Sequence, residues 1–178
     1  MNGAIQEAHP PANPGSRLLE KAAHLGLQLP TDLERLAISR GCVYYERDLG
    51  VRVPPLSASP FSNAELAVAL VIPSLSPGAR EIRLAAALLG TPGLEVAQVV
   101  QLSREENCEA VIRYIAQCGQ HFEAENRFWA GLLAELPVVA ADVNGYPHPT
   151  RFVEMTGIDR GKVGVSQHWI RPQLPIAT

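Results

Sequence analysis

The chain has little of what many functional classes require. It has three cysteines in 178 residues, Cys42, Cys108 and Cys118. An odd number at wide spacing makes no disulfide framework, and apolar neighbours around each suit small buried hydrophobes in a reducing compartment. No stretch approaches the roughly 18 apolar residues that span a bilayer. The best run, Leu66 to Ile72, is short and ends at Pro73, so no membrane segment is expected. Positive charge is not in excess either: 15 Lys and Arg stand against 18 Asp and Glu, a net charge of −3. A protein that grips nucleic acid with its whole surface is strongly basic, and this one is not. Met1 to Ser16 lacks the basic start and apolar stretch of a secretory signal. With Pro10, Pro11 and Pro14 it reads as a flexible tail over residues 1–15.

Catalytic and cofactor signatures are missing too. There is no glycine-rich loop followed by Lys and Ser or Thr, no three-glycine dinucleotide fingerprint and no Gly-x-Ser-x-Gly elbow. His9, His24, His121, His148 and His168 are scattered, with no two at helical ligand spacing. Cys118 and His121 have ligand-like spacing but lack the second pair that a tetrahedral metal site needs. Cys108 follows Glu105 and Glu106, and nearby carboxylates suppress a thiolate. Glu105, Glu106 and Glu109, and again Glu123 and Glu125, are expected near helix N-termini, where the helix dipole stabilises negative charge. No catalytic residue, metal or cofactor is assigned. The best material for a site assembled from distant residues is the cluster Tyr44, Tyr45, Glu46 and Arg47.

What the sequence does contain is helix punctuation in a core-forming composition, 47% hydrophobic and 19% charged. Ser62-Asn63-Ala64-Glu65 and Ser103-Arg104-Glu105-Glu106 both have capping-box spacing. Ser76-Pro77 reads as a third start with proline at the first helical position, and Gly90 and Gly119 as left-handed helix stops. Apolar residues recur every three or four positions over Pro77–Leu89, Arg104–Cys118 and Glu123–Leu136, and two shorter helices are expected over Arg17–Leu27 and Thr31–Arg40. Leu94 to Leu102 fits strand or helix. Leu70, Leu88, Leu89, Ile115, Phe128, Trp129 and Leu132 are expected to share one buried cluster.

Beyond the connector at residues 137–150 the character changes. Phe152–Thr156 and Val163–Ile170 alternate like strands, with Asp159-Arg160-Gly161-Lys162 as a turn between them. The expected fold is therefore mainly α. A helical domain over 16–136, an irregular multi-helix bundle, carries a small C-terminal β-hairpin over 151–178. A short helical-hairpin repeat is the alternative arrangement of the helices. The runner-up class is α+β, with strands at Leu94–Leu102 and Val138–Val143.

Charge is unevenly placed. Residues 93–146 carry 3 basic and 8 acidic side chains, net −5, and residues 147–178 carry 4 basic and 2 acidic, net +2. A basic, aromatic ribbon after an acidic helical region either folds back on its own helices or docks on a partner. The expected function is a cytoplasmic accessory or interaction protein with no membrane contact, bound to a protein partner or a second copy. Its partner-facing residues are expected to be Arg160, Lys162, His168, Trp169 and Arg171. The alternatives are a small enzyme, and a nucleic-acid-associated protein that uses the same basic segment with Trp169 as a stacking platform.

Overall fold

A computed structural model describes residues 15–42, 61–138, 144–156 and 166–173. The described residues form seven α-helices: α1 (Arg17–His24), α2 (Thr31–Ser39), α3 (Asn63–Ala69), α4 (Ala79–Leu89), α5 (Val96–Glu105), α6 (Glu109–Phe122) and α7 (Arg127–Glu135). Short 3-10 turns lie at Pro73–Leu75 and Pro149–Phe152. Two strands, β1 (Val153–Thr156) and β2 (Ser166–Trp169), close the fold as an antiparallel pair. The protein is mainly helical with a small C-terminal sheet. The α+β alternative fails at residues 94–102, most of which are helical, and Val138 lies in no strand; 139–143 fall outside the described residues.

α3 and α4 are the centre. Leu66 to Ile72 and Leu84 to Gly90 are buried without a break, so these segments are apolar all round, as helices enclosed by others must be. α3 lies against α4, α5, α2 and α1, while α6 packs on α7 and β2. The expected core residues all lie in one cluster except Phe128, which is half-buried at its margin.

The first capping box forms as spelled: Ser62 Oγ accepts from Glu65 N at 3.1 Å, and Glu65 Oε2 accepts from Ser62 N at 2.8 Å. Glu65 Oε1 also takes the Lys21 ammonium at 2.8 Å, tying α1 to α3. The second box does not form. Ser103 lies in the last turn of α5, where its hydroxyl donates to Val99 O at 2.6 Å, and Glu106 is the C-terminal cap. Glu106 reaches across to α1 and accepts from Leu18 N at 3.0 Å. Glu105 and Glu106 thus end one helix and Glu109 begins the next, with Cys108 at its N-cap. The apolar period runs through both helices, and it conceals the turn at Asn107, which has φ 56°.

α4 starts two residues after Pro77, with Gly78 as its N-cap: Glu81 Oε2 accepts from Gly78 N at 2.8 Å. Of the two expected glycine stops, Gly90 does end its helix but not in a left-handed conformation, and Gly119 ends none. Gly90 caps α4 in a right-handed conformation, φ −73°, and Gly119 lies inside α6. Both glycines serve contact. A β-carbon on Gly90 would stand 2.6 Å from Trp169 Cδ1, and one on Gly119 would overlap the Trp129 indole.

Candidate interaction surface

The C-terminal hairpin is anchored at its base and bare beyond it. Pairing runs Val153 to Trp169, Glu154 to His168, Met155 to Gln167 and Thr156 to Ser166. Val153 and Trp169 are buried, whereas Met155, Thr156, Ser166, Gln167 and His168 are exposed. Met155 is 56% exposed, one of three large apolar side chains so exposed among the described residues, with Leu25 and Val138.

Trp169 is therefore corrected. It is 3% exposed, its ring stacks on Phe152 at 5.4 Å between centroids and meets Trp129 at 5.0 Å, and its Nε1 donates to Ala86 O at 2.9 Å. A buried indole needs such a partner for its N–H, and α4 supplies it. The ring offers no partner-facing aromatic surface and no platform for a stacked base.

Arg171 is half-buried and engaged. Its Nε donates to Gly90 O at 2.8 Å, and a terminal nitrogen forms an ion pair with Glu123. Glu123 in turn accepts from Trp129 Nε1 at 2.8 Å and Asn126 Nδ2 at 3.0 Å. Burial pushes its carboxyl upward, but the bonds from Trp129, Arg171 and Asn126 outweigh that and hold it below the ordinary glutamate value. The acidic and basic segments thus meet within one chain, at Glu123 and Arg171. Of the expected surface residues, His168 is exposed on the outer hairpin. Arg160 and Lys162 lie outside the described residues, as do Tyr44, Tyr45, Glu46 and Arg47.

Besides Trp169, sequence reasoning misassigned Glu123, which ends α6 instead of opening the next helix, and Gly119; at Gly90 the stop holds and only its left-handed conformation does not. One signal was available: the apolar period of α6 continues past Gly119 to Phe122, which a helix-ending glycine would interrupt.

Chemically reactive groups are quiet. The three thiols are unpaired and buried. Burial pushes Cys42 up to about 12 and Cys118 up to about 11. Cys108 rises further, through burial and the carboxylates of Glu109 and Glu106. His121 lies edge-on to Phe122 at 4.8 Å and is exposed, whereas Cys118 is buried. No group of three metal-ligating side chains occurs among the described residues, and no helix described is long and apolar enough to cross a membrane.

No protein-family model, curated protein or solved structure matches the chain.

Proposed function

We propose that this protein is a cytosolic interaction module whose contact element is the outer half of the C-terminal hairpin, and that it binds protein rather than nucleic acid or membrane. One observation carries the reading. The hairpin base is locked into the core through Trp169, Phe152 and Arg171, while Met155 and Thr156, with Ser166 to His168, are exposed on a two-stranded sheet. A hairpin with nothing packed on it is marginal in water, and its strand edges offer unpaired backbone groups to a neighbour. Holding such an element rigidly at its root presents it at little ordering cost on association. The cationic segment contributes less than its formal charge, because Arg171 is neutralised internally by Glu123.

The test is site-specific photo-crosslinking in cells of the source organism, with the probe at Met155 or His168 and a control probe at exposed Glu125. Protein adducts at 155 and 168 and none at 125 are expected. Adducts equally frequent at all three positions, or absent from the hairpin, would overturn the reading.

A further inference from the structure

Two carboxylates are buried among the described residues, Glu34 and Glu106. Glu34 is paired with Arg80 at 2.9 Å. Glu106 is 4% exposed and forms no ion pair among the described residues. Its Oε1 accepts from Leu18 N at 3.0 Å, and its buried Oε2 has no hydrogen-bond partner. Buried charges are normally paired, and a buried polar atom without a partner calls for an explanation.

The surroundings do not supply the missing charge. Glu106 lines two clefts, each of about 420 Å³. In one, both cations are already engaged: Arg17 pairs with Glu105 at 3.1 Å and Lys21 with Glu65 at 2.8 Å. Three carboxylates against two cations leave one negative charge, that of Glu106. Helix termini do not correct it. α5 ends and α1 begins here, and their terminal partial charges, about −0.5 and about +0.5, oppose each other. The second cleft has an apolar wall of Leu19, Ile72 and Pro73, and its only charged lining residues are Glu105 and Glu106.

We infer that the clefts at Glu106 form a binding site for a primary ammonium group on an aliphatic stem, with an ammonium N–H donating to Oε2. The donor set selects that chemistry. A water donates a hydrogen bond but brings no charge. A divalent metal needs several ligands, and no group of three metal-ligating side chains occurs among the described residues. A guanidinium is recognised through both oxygens of a carboxylate, and Leu18 N already occupies Oε1. An ammonium is a compact charge with three donors, and one open oxygen suffices. The apolar wall takes the stem, as apolar surface takes the methylenes of a lysine. Entry asks little of the fold, because the Arg17–Glu105 pair lining the same cleft is at the surface, its Arg17 side chain 77% exposed, and such pairs open at little cost. The site draws on no residue of the hairpin and stands apart from the hairpin's role.

Ligand titration of the full chain tests the site. The probe is n-butylammonium chloride at pH 7, with tetramethylammonium chloride at equal ionic strength as the cation that has no N–H. n-Butylammonium is expected to raise the melting temperature saturably within tens of millimolar. It should also shift the Leu18 amide resonance, since Leu18 N donates to the same carboxylate. Tetramethylammonium is expected to do neither. Glu106→Gln keeps an acceptor for Leu18 N and removes the charge, so it should fold and lose the n-butylammonium response. Glu125→Gln, the same charge change at an exposed position, should keep it. The Nα-acetyl methylamide of lysine separates two sources of such a group. A response matching n-butylammonium assigns a lysine side chain of another protein, no response assigns a free amine, and both retain the site. No saturable response to n-butylammonium, equal responses to the two cations, a response that survives in Glu106→Gln, or an unmoved Leu18 amide overturns it. If Glu106→Gln fails to fold, the two cations and the Leu18 resonance, read on the unmodified chain, decide alone.

Discussion

Gly119 lies flat against the indole of Trp129, so close that any β-carbon there would overlap the ring. Gly90 stands in the same relation to Trp169, with a virtual β-carbon 2.6 Å from Cδ1. Two glycines on two helices thus make room for two tryptophans whose ring centroids are 5.0 Å apart. Gly90 has φ −73°, so backbone freedom is not what it supplies. Gly119→Ala and Gly90→Ala are each expected to destabilise by about 1–3 kcal/mol, the usual cost of forcing extra volume into a packed core. Urea titration checks this. In double-mutant cycles each glycine should couple to its own tryptophan.

The tryptophans themselves should be costly to remove. Trp129 is 0% and Trp169 3% exposed, and truncating a large buried aromatic costs about 3–5 kcal/mol. Trp129→Ala and Trp169→Ala should therefore leave a substantial unfolded fraction against a total stability of about 5–15 kcal/mol. Phe128 belongs to the same apolar stripe but is half-buried. Phe128→Ala should cost clearly less than Trp129→Ala, and an equal loss would mean that the ring is more deeply packed than its exposure indicates.

Local signals in the sequence translated directly where the backbone alone decides. The box at Ser62 to Glu65 needs only four adjacent residues, and it formed. The alternation after residue 150 likewise gave a hairpin. The signals that failed are those that depend on distant partners. Ser103 to Glu106 has the same spacing, but Glu106 is recruited by the N-terminus of α1, 88 positions away. Trp169 looks like a surface aromatic until α4 offers Ala86 O, 83 positions back. The charge contrast between segments was legible, and it is met partly inside the chain by Glu123 and Arg171. Which residues share a cluster is set by tertiary packing, and periodicity in one segment carries no record of it.

Acid should loosen the junction at Glu123. Its carboxyl is held below the ordinary glutamate value of 4.5. A depressed folded-state value stabilises the native state at pH above the unfolded value, and that stabilisation is lost as pH falls through the folded one. Stability should thus drop below about pH 4.5, partly through Glu123. Glu123→Gln should lower stability at pH 7 and flatten that acid limb. Parallel acid limbs in the two proteins would show that Glu123 does not contribute to it.

Thiol chemistry should report unfolding. All three cysteines are buried and their thiols are pushed above the ordinary value, to about 12 for Cys42 and about 11 for Cys118. The thiolate is the reactive form, so a disulfide reagent at pH 7 should modify none of them in the native protein and all three in urea. Rapid titration of one thiol without denaturant would mark a local opening at that site.

The hairpin has two parts, and truncation should separate them. Its base holds Phe152, Val153, Trp169 and Ile170, all buried. Arg171 then ties to Gly90 and Glu123, and Gln173 N donates to Gly41 O at 2.8 Å, reaching the end of α2. At that crossing Gly41 has φ 105°, and a β-carbon there would overlap Gln173 O, so only glycine lets the two backbones meet. Ending the chain at residue 147 removes all of these contacts and exposes Trp129 and the Gly90 face of α4. The shortened protein is expected to melt far below the full chain, or to fail to fold. Replacing the exposed outer residues leaves the base intact: Met155→Ser with Gln167→Ser should shift the melting temperature by no more than surface substitutions do, within about 0.5 kcal/mol. Differential scanning calorimetry of the full chain, the truncation and the double variant reads both parts. A truncated chain that melts like the full one would show that the base does not stabilise the helices, whatever its burial. A large loss in the double variant would show that the outer hairpin is packed in solution, and would remove the exposed surface on which the interaction reading stands.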